Sequence, residues 1–188
     1  MKSYEEVYEI VKEELSENRF HHCEGVAKRC AEFAKLNNID VEKARLVGIA
    51  HDIAKEIPKE DRVRIALENG IELDDFEKEN TSLIHSKMGA KICKERFGFT
   101  EDMCNAIIAH TTAKPDMQIL DKILYLSDYC EPNRDFDSAK SVYEIGKEDL
   151  NEGYYQALIG KIKYMLSKGV KIHFDSINAY NSFLDENK

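Results

Sequence analysis

The stretch "LVGIAHDIAKEIP", residues 46–58, sets an adjacent imidazole and carboxylate, His51 and Asp52, inside a run that is otherwise almost wholly apolar. A charge buried there without a partner would be expensive, so something must compensate the doublet. Outward from it, apolar positions recur at helical spacing. Tyr4, Val7, Tyr8, Val11 and Leu15 open the pattern, and Leu150, Tyr154, Leu158, Ile162 and Met165 repeat it late. Strand-type alternation is scarce. Breaks fall at "LSENR", "NNID", Pro58, "ENGIELDD", Gly98, "TTAKPDM", "CEPNRDFDSA" and Gly169, which delimit roughly eight or nine helices. Thr100 is the expected N-cap of "EDMCNAIIAH", and Gly70, Gly98 and Gly169 suit the left-handed position after a helix. The expected fold is all-α. All three prolines sit at breaks, and no repeat or Pro/Gly/Ser linker divides the chain, so one domain over residues 1–188 is expected.

Composition narrows the partners. Of the 188 residues 43% are hydrophobic and 34% charged, and no apolar run approaches the roughly 20 residues that span a bilayer. The acidic start "MKSYEEVYEIVKEELSENRF" does not read as a signal peptide, which makes the cytoplasm the expected address. A net charge of -9 opposes binding to a nucleic-acid polymer or an anionic membrane, although a local cation cluster still permits a small phosphorylated ligand. The five cysteines contain no C-x-x-C pair and read as small buried hydrophobes.

Five positions, His22, His51, His85, His110 and Asp128, share one feature: each lies on or just beyond the apolar face of an expected helix, and Asp52 adjoins His51. His22 precedes Val26 by one turn, His51 and Asp52 follow Val47, His85 precedes Gly89, His110 ends "CNAIIAH", and Asp128 follows Leu124. A single buried histidine is more often a hydrogen-bonded core residue than a ligand. Four imidazoles and two carboxylates buried together call for a shared cation, and imidazole nitrogen with carboxylate oxygen suits iron, manganese or zinc. A carboxylate can also bridge two ions. His21 points about 100° away from His22 round the helix, and His173 sits where a local hydrogen bond or solvent contact is expected; both are left out. Three cations flank the motifs: Arg19 one turn before His22, Lys55 one turn after His51 on the same helical face, and Arg134 after the Asp128 helix.

The ordered set His22, His51-Asp52, His85, His110 and Asp128 resembles the HD superfamily of metal-dependent phosphohydrolases. The motifs "RFHHCEGVA", "GIAHDIAKE", "IHSKMGA", "IIAHTTAKPDM", "LDKILYLSDYCEPNRDF" and "INAYNSFL" look like its YqeK branch, whose members cleave diadenosine tetraphosphate symmetrically into two ADP. The likeness spans nearly all of the chain. Two loops depart from it: Ala113 stands where glycine is expected after the second threonine of "HTTAK", and Asn133 where glycine is usual in "EPNRDF".

The resemblance implies that His22, His51, Asp52 and Asp128 hold iron, as one or two ions, with manganese or another divalent metal as the alternative. His85 and His110 then either face phosphates or complete a second site bridged by Asp52. Catalysis is assigned to Asp52, His85 and His110, through attack of metal-activated water on phosphorus. Substrate contacts are assigned to Arg19, Lys55, His85, His110, Thr111, Asp128 and Arg134. Tyr125 and Tyr143 are expected in the core rather than against a purine. An HD nucleotidase or phosphodiesterase, or a nucleotide sensor without turnover, is the alternative, and a homodimer is one admitted assembly.

Overall fold

The computed structural model describes residues 1–186. Among them lie eleven α-helices, one π-helical turn and no strand: α1 (Tyr4–Glu14), α2 (Glu17–Leu36), α3 (Val41–Ala50), α4 (Lys59–Glu68), α5 (Asp75–Glu79), α6 (Ile84–Ile92), the π turn Cys93–Phe97, α7 (Glu101–Ala109), α8 (Ile119–Cys130), α9 (Asp137–Glu148), α10 (Leu150–Ser167) and α11 (Phe174–Glu186). No described helix is long and apolar enough to cross a membrane.

The all-α expectation holds, but eight or nine helices is too few. Two boundaries were invisible to periodicity. Helix α5 is only five residues long, started by a reciprocal cap between Asp74 and Glu77 and ended at Asn80. Asp149 interrupts an apparently continuous pattern by going extended, and its carboxylate accepts from the Asn151 and Glu152 amides that open α10. Elsewhere the local signals act as read. Gly70, Gly98 and Gly169 have φ of 68°, 74° and 63°. Thr100 occupies the N-cap of α7, although its hydroxyl turns to Asp102 and caps no amide.

Helix α3 ends at Ala50, one residue before the doublet. Residues 51–57 form tight turns closed by i to i+3 bonds, among them Lys55 N to Asp52 O at 2.8 Å. His51 and Lys55 therefore do not share a helical face. The tighter turn instead aims Asp52 inward beside His51.

The main core is built on the seam between α2 and α3. A Cβ on Gly48 would lie 2.6 Å from the Ala27 Cα, so only glycine allows these backbones to approach so closely. Helix α8 contributes Ile123, Leu124, Tyr125 and Leu126, each buried, to the same cluster. Tyr125 is in the core as expected, and the half-buried Tyr143 packs on Phe33 and under Arg29. A smaller cluster of Ala54, Ala66, Ile84 and Met88 lies under α4 and α6. All five cysteines are buried and unpaired, and burial pushes the Cys30 and Cys130 thiols up to about 12.

Candidate metal centre and phosphate cleft

Each histidine of the expected set is oriented by a bond from its outer nitrogen. Nδ1 of His51 bonds the Gly48 carbonyl at 2.8 Å, that of His85 the Ser82 carbonyl at 2.6 Å, and that of His110 the Ile107 carbonyl at 2.6 Å. The same i to i-3 reach recurs three times because each ring sits at a helix end or just past a turn, where a carbonyl with spare accepting capacity lies one turn back. Nδ1 of His22 instead meets Glu131 Oε1 at 3.2 Å. Placing the proton on Nδ1 leaves the Nε2 lone pair of every ring turned inward, as metal-ligating imidazoles require.

The inward atoms converge. His22, His51 and Asp52 offer one atom each within 4.8 Å of one another, and so do Asp52, His85 and His110. Asp52 belongs to both groups. His22 Nε2 and His51 Nε2 are buried without a hydrogen-bond partner, and Asp52 Oδ1 has only the imidazole nitrogen of His85 at 3.0 Å, whereas buried polar atoms are ordinarily satisfied. His85 Nε2 and His110 Nε2 stand 3.2 Å apart, two lone pairs face to face if both rings carry their proton on Nδ1. A divalent cation resolves both anomalies, so the donor set fits a metal of the imidazole–carboxylate class.

The electrostatics agree at two of the rings, whereas at His22 burial, which would lower the imidazole, is outweighed by the neighbouring Asp128 and Glu131, which raise it. Burial drives the His51 imidazole down to about 3 and that of His85 down to about 4, which keeps both in the neutral, ligating form. Burial alone would raise the Asp52 carboxyl, but His51, His110, His85 and Lys55 hold it well below the usual range. Asp128 is likewise held low against its own burial, by Lys161 and His22.

Asp128 stands apart from the two triads. Its Oδ1 lies 3.3 Å from His22 Nε2, but Arg134 Nη2 donates to that oxygen at 3.2 Å and Lys161 Nζ donates to Oδ2 at 3.1 Å. Arg19 reaches Asp52 Oδ2 at 3.0 Å, and Lys55 Nζ sits 3.1 Å from His85 Nε2. With Thr111 these groups line a cavity of about 350 Å³. All ten expected site residues thus meet in one region, and His21 and His173 do not. His21 is exposed and bonded to Glu24, while His173 is bonded to Asp74 beside Phe76.

Two participants escaped the sequence reading. Glu131 lies three residues after Asp128 and directly before Pro132, a spacing that pointed to it. Lys161 had no local signal, since nothing in "GKIKY" separates it from Lys163, and only the packing of α10 against α8 brings it to Asp128. Asn133, at one of the two departures from the resemblance, donates its backbone N–H to Glu131. Ala113, at the other, keeps the left-handed conformation of the expected glycine, with φ 60°.

Comparisons with known proteins converge on the same chemistry. The chain is 36% identical over 181 residues to a protein of Halalkalibacterium halodurans named symmetrical bis(5'-nucleosyl)-tetraphosphatase, covering 96% of both chains. It is 32% identical over 178 residues to a Bacillus subtilis protein of the same name, covering 94% of this chain and 95% of the other. A crystal structure from Clostridium acetobutylicum, described as a "predicted HD superfamily hydrolase involved in NAD metabolism", superposes with a TM-score of 0.93 at 35% identity, over 99% of each chain. The HD domain model matches residues 19–133, which hold every expected metal ligand from His22 to Asp128, and the chain belongs to the HD domain family.

Proposed function

We propose that this chain is a symmetrical bis(5'-nucleosyl)-tetraphosphatase, a hydrolase that splits diadenosine tetraphosphate at its central bridge into two ADP. One observation carries the reading: buried imidazole and carboxylate atoms, two of the imidazole nitrogens unpartnered, converge at the floor of a cleft ringed by four cations, Arg19, Lys55, Arg134 and Lys161. His22, His51, Asp52 and Asp128 would hold the first ion, and His85 and His110 a second one through the shared Asp52. Iron is the ion assigned, with manganese the nearest alternative for this donor set. A divalent ion held by these residues would supply Lewis acidity and would lower the pKa of coordinated water toward roughly 7.

The protein's own groups do the rest. Lys55 Nζ and the Arg134 guanidinium neutralise charge on the phosphoryl oxygens, Arg134 as a fork and Lys55 as a point charge. Arg19, Lys161 and the Thr111 hydroxyl hold the flanking phosphates. ADP is a good leaving group, so no side chain need protonate it. Glu131 keeps the His22 ring aimed inward. Five unpaired buried cysteines suit the reducing cytoplasm as the working compartment.

The test is elemental analysis of protein purified without added metal, combined with product identification from diadenosine tetraphosphate. Bound transition metal and two ADP per substrate are expected. ATP plus AMP, or no turnover in metal-replete protein, would overturn the proposal.

A further inference from the structure

The cation-ringed cavity is flanked by two others of opposite character, each sharing lining residues with it and called a lobe below. One, of about 690 Å³, is walled by Tyr129, Phe136, Tyr164 and Met165 and shares Thr111, Arg134 and Lys161 with the centre. Phe136 and Tyr164 are 40% and 63% exposed, and Tyr129, with its ring edge-on to Phe136 at 5.4 Å, is nearly buried. Gly160 makes room for the Tyr129 ring, since a Cβ there would collide with the phenol. The lobe has the size of a small-molecule site and offers aromatic faces at its mouth, the surface on which a nucleobase stacks.

The other lobe, of about 440 Å³, contains no Phe, Tyr or Met. It is lined by Ser16, Asn18, His21, Glu56, Glu131 and Asn133. Most of their polar groups already face one another: the Ser16 amide and hydroxyl bond Glu56, the Asn133 amide bonds the His21 carbonyl, and Glu131 bonds His22. Arg19 lines both this cavity and the centre, and Arg134 lines all three. Two guanidiniums at a polar mouth suit a phosphate terminus better than a base.

We propose that the cleft grips a nucleoside at one end only, in the aromatic lobe, so that its substrate class is nucleoside 5'-tetraphosphates and the second nucleoside is dispensable. This rests on the tetraphosphatase reading above and adds to it a mononucleotide substrate, adenosine 5'-tetraphosphate. The chemistry balances as a hydrolysis. Water forms a new O–P bond at one phosphorus of the central bridge, the bridging oxygen departs on the other phosphorus with the bonding electrons, and the protons released pass to buffer. Diadenosine tetraphosphate gives two ADP, and adenosine tetraphosphate gives ADP and pyrophosphate.

The experiment compares the two substrates on the metal-replete enzyme. The expected result is cleavage of both at the central bridge, with kcat/KM values within about tenfold of each other, the tenfold margin equalling the 1.4 kcal/mol of a modest stacking contact. Phe136→Ala and Tyr164→Ala, both at exposed positions, should raise KM for the two substrates by a common factor, on the order of ten, at unchanged kcat. Symmetrical cleavage of diadenosine tetraphosphate with a larger deficit for adenosine tetraphosphate overturns the one-ended cleft and leaves the tetraphosphatase reading standing. So does release of ATP and phosphate from adenosine tetraphosphate, or a KM effect of the aromatic variants on one substrate alone. Failure to cleave either substrate removes both readings.

Discussion

His51 and His85 present the same inward Nε2 from two different walls, and the walls are built by different forces. The His51 wall is the α2–α3 seam, where Val47, Ile49 and Ala50 sink into the large core and Gly48 meets Ala27 at backbone contact. The His85 wall rests on the small cluster of Ala54, Ala66, Ile84 and Met88. What orders its loops is Arg62, a guanidinium only 4% exposed whose three hydrogen bonds go to the carbonyls of Lys55, Ile57 and Thr81. Through these it fixes the turn that follows Asp52 and the segment whose Ser82 carbonyl orients His85. Apolar packing places the first wall, whereas hydrogen bonds to main chain place the second. Damage to them should be felt differently, in stability on one side and in activity on the other.

Asp52 is common to both walls, and its loss should be the most severe. Asp52→Ala should lose bound metal by elemental analysis and lower ADP release by more than about a hundredfold, the upper range already seen when only a supporting outer partner is removed. Full activity in this variant would take Asp52 out of the site. Arg62→Met comes next: activity per folded molecule should fall by roughly tenfold to a hundredfold as Lys55 and His85 lose their register. Arg62→Lys, which retains one donor head, should recover part of it. A loss of Tm with activity intact would make Arg62 merely structural.

Gly48→Ala tests the other wall. Overpacking against Ala27 should cost roughly 1–3 kcal/mol, a drop of several degrees in Tm, while the molecules still folded keep their turnover. Acid should act on both walls at once. His51 and His85 are held at about 3 and about 4, below their ordinary 6.5, so the unfolded chain takes up protons that the fold refuses. The stability these groups contribute is fully present above pH 6.5 and declines as pH falls toward 4. The Tm of metal-stripped protein should decline over that window, and a flat profile would contradict the neutral assignment. The smallest effect is expected at Ala113→Gly, where relief of a left-handed alanine outweighs the added freedom of the unfolded chain by a few tenths of a kcal/mol, raising Tm by about a degree.

Much of this was legible in the chain itself. Helical periodicity, the three left-handed glycines and the doublet in its apolar run all report interactions within a few residues, and each reappears in the structure. The set from His22 to Asp128 is brought to one region, although His51, Asp52 and His110 lie just past the ends of α3 and α7 rather than on a helical face. Lys55 shows where locality misleads: continuing α3 through the doublet put it on the His51 face, but the i to i+3 turns after Ala50 carry it to His85 instead. Similarly, α9 and α10 share one periodicity, and only the capping carboxylate of Asp149 divides them.

By itself the sequence determined that the protein is helical, and it made a common cation the expected partner of His22, His51, Asp52, His85, His110 and Asp128, since burying them singly is too costly. Tertiary structure alone decided that Lys161 joins Asp128, that Glu131 contacts His22 while Arg62 orders the loops beside His85, and that one aromatic-walled and one polar cavity flank the centre. Those relations join residues on separate elements, and no period along one segment encodes the distance between two.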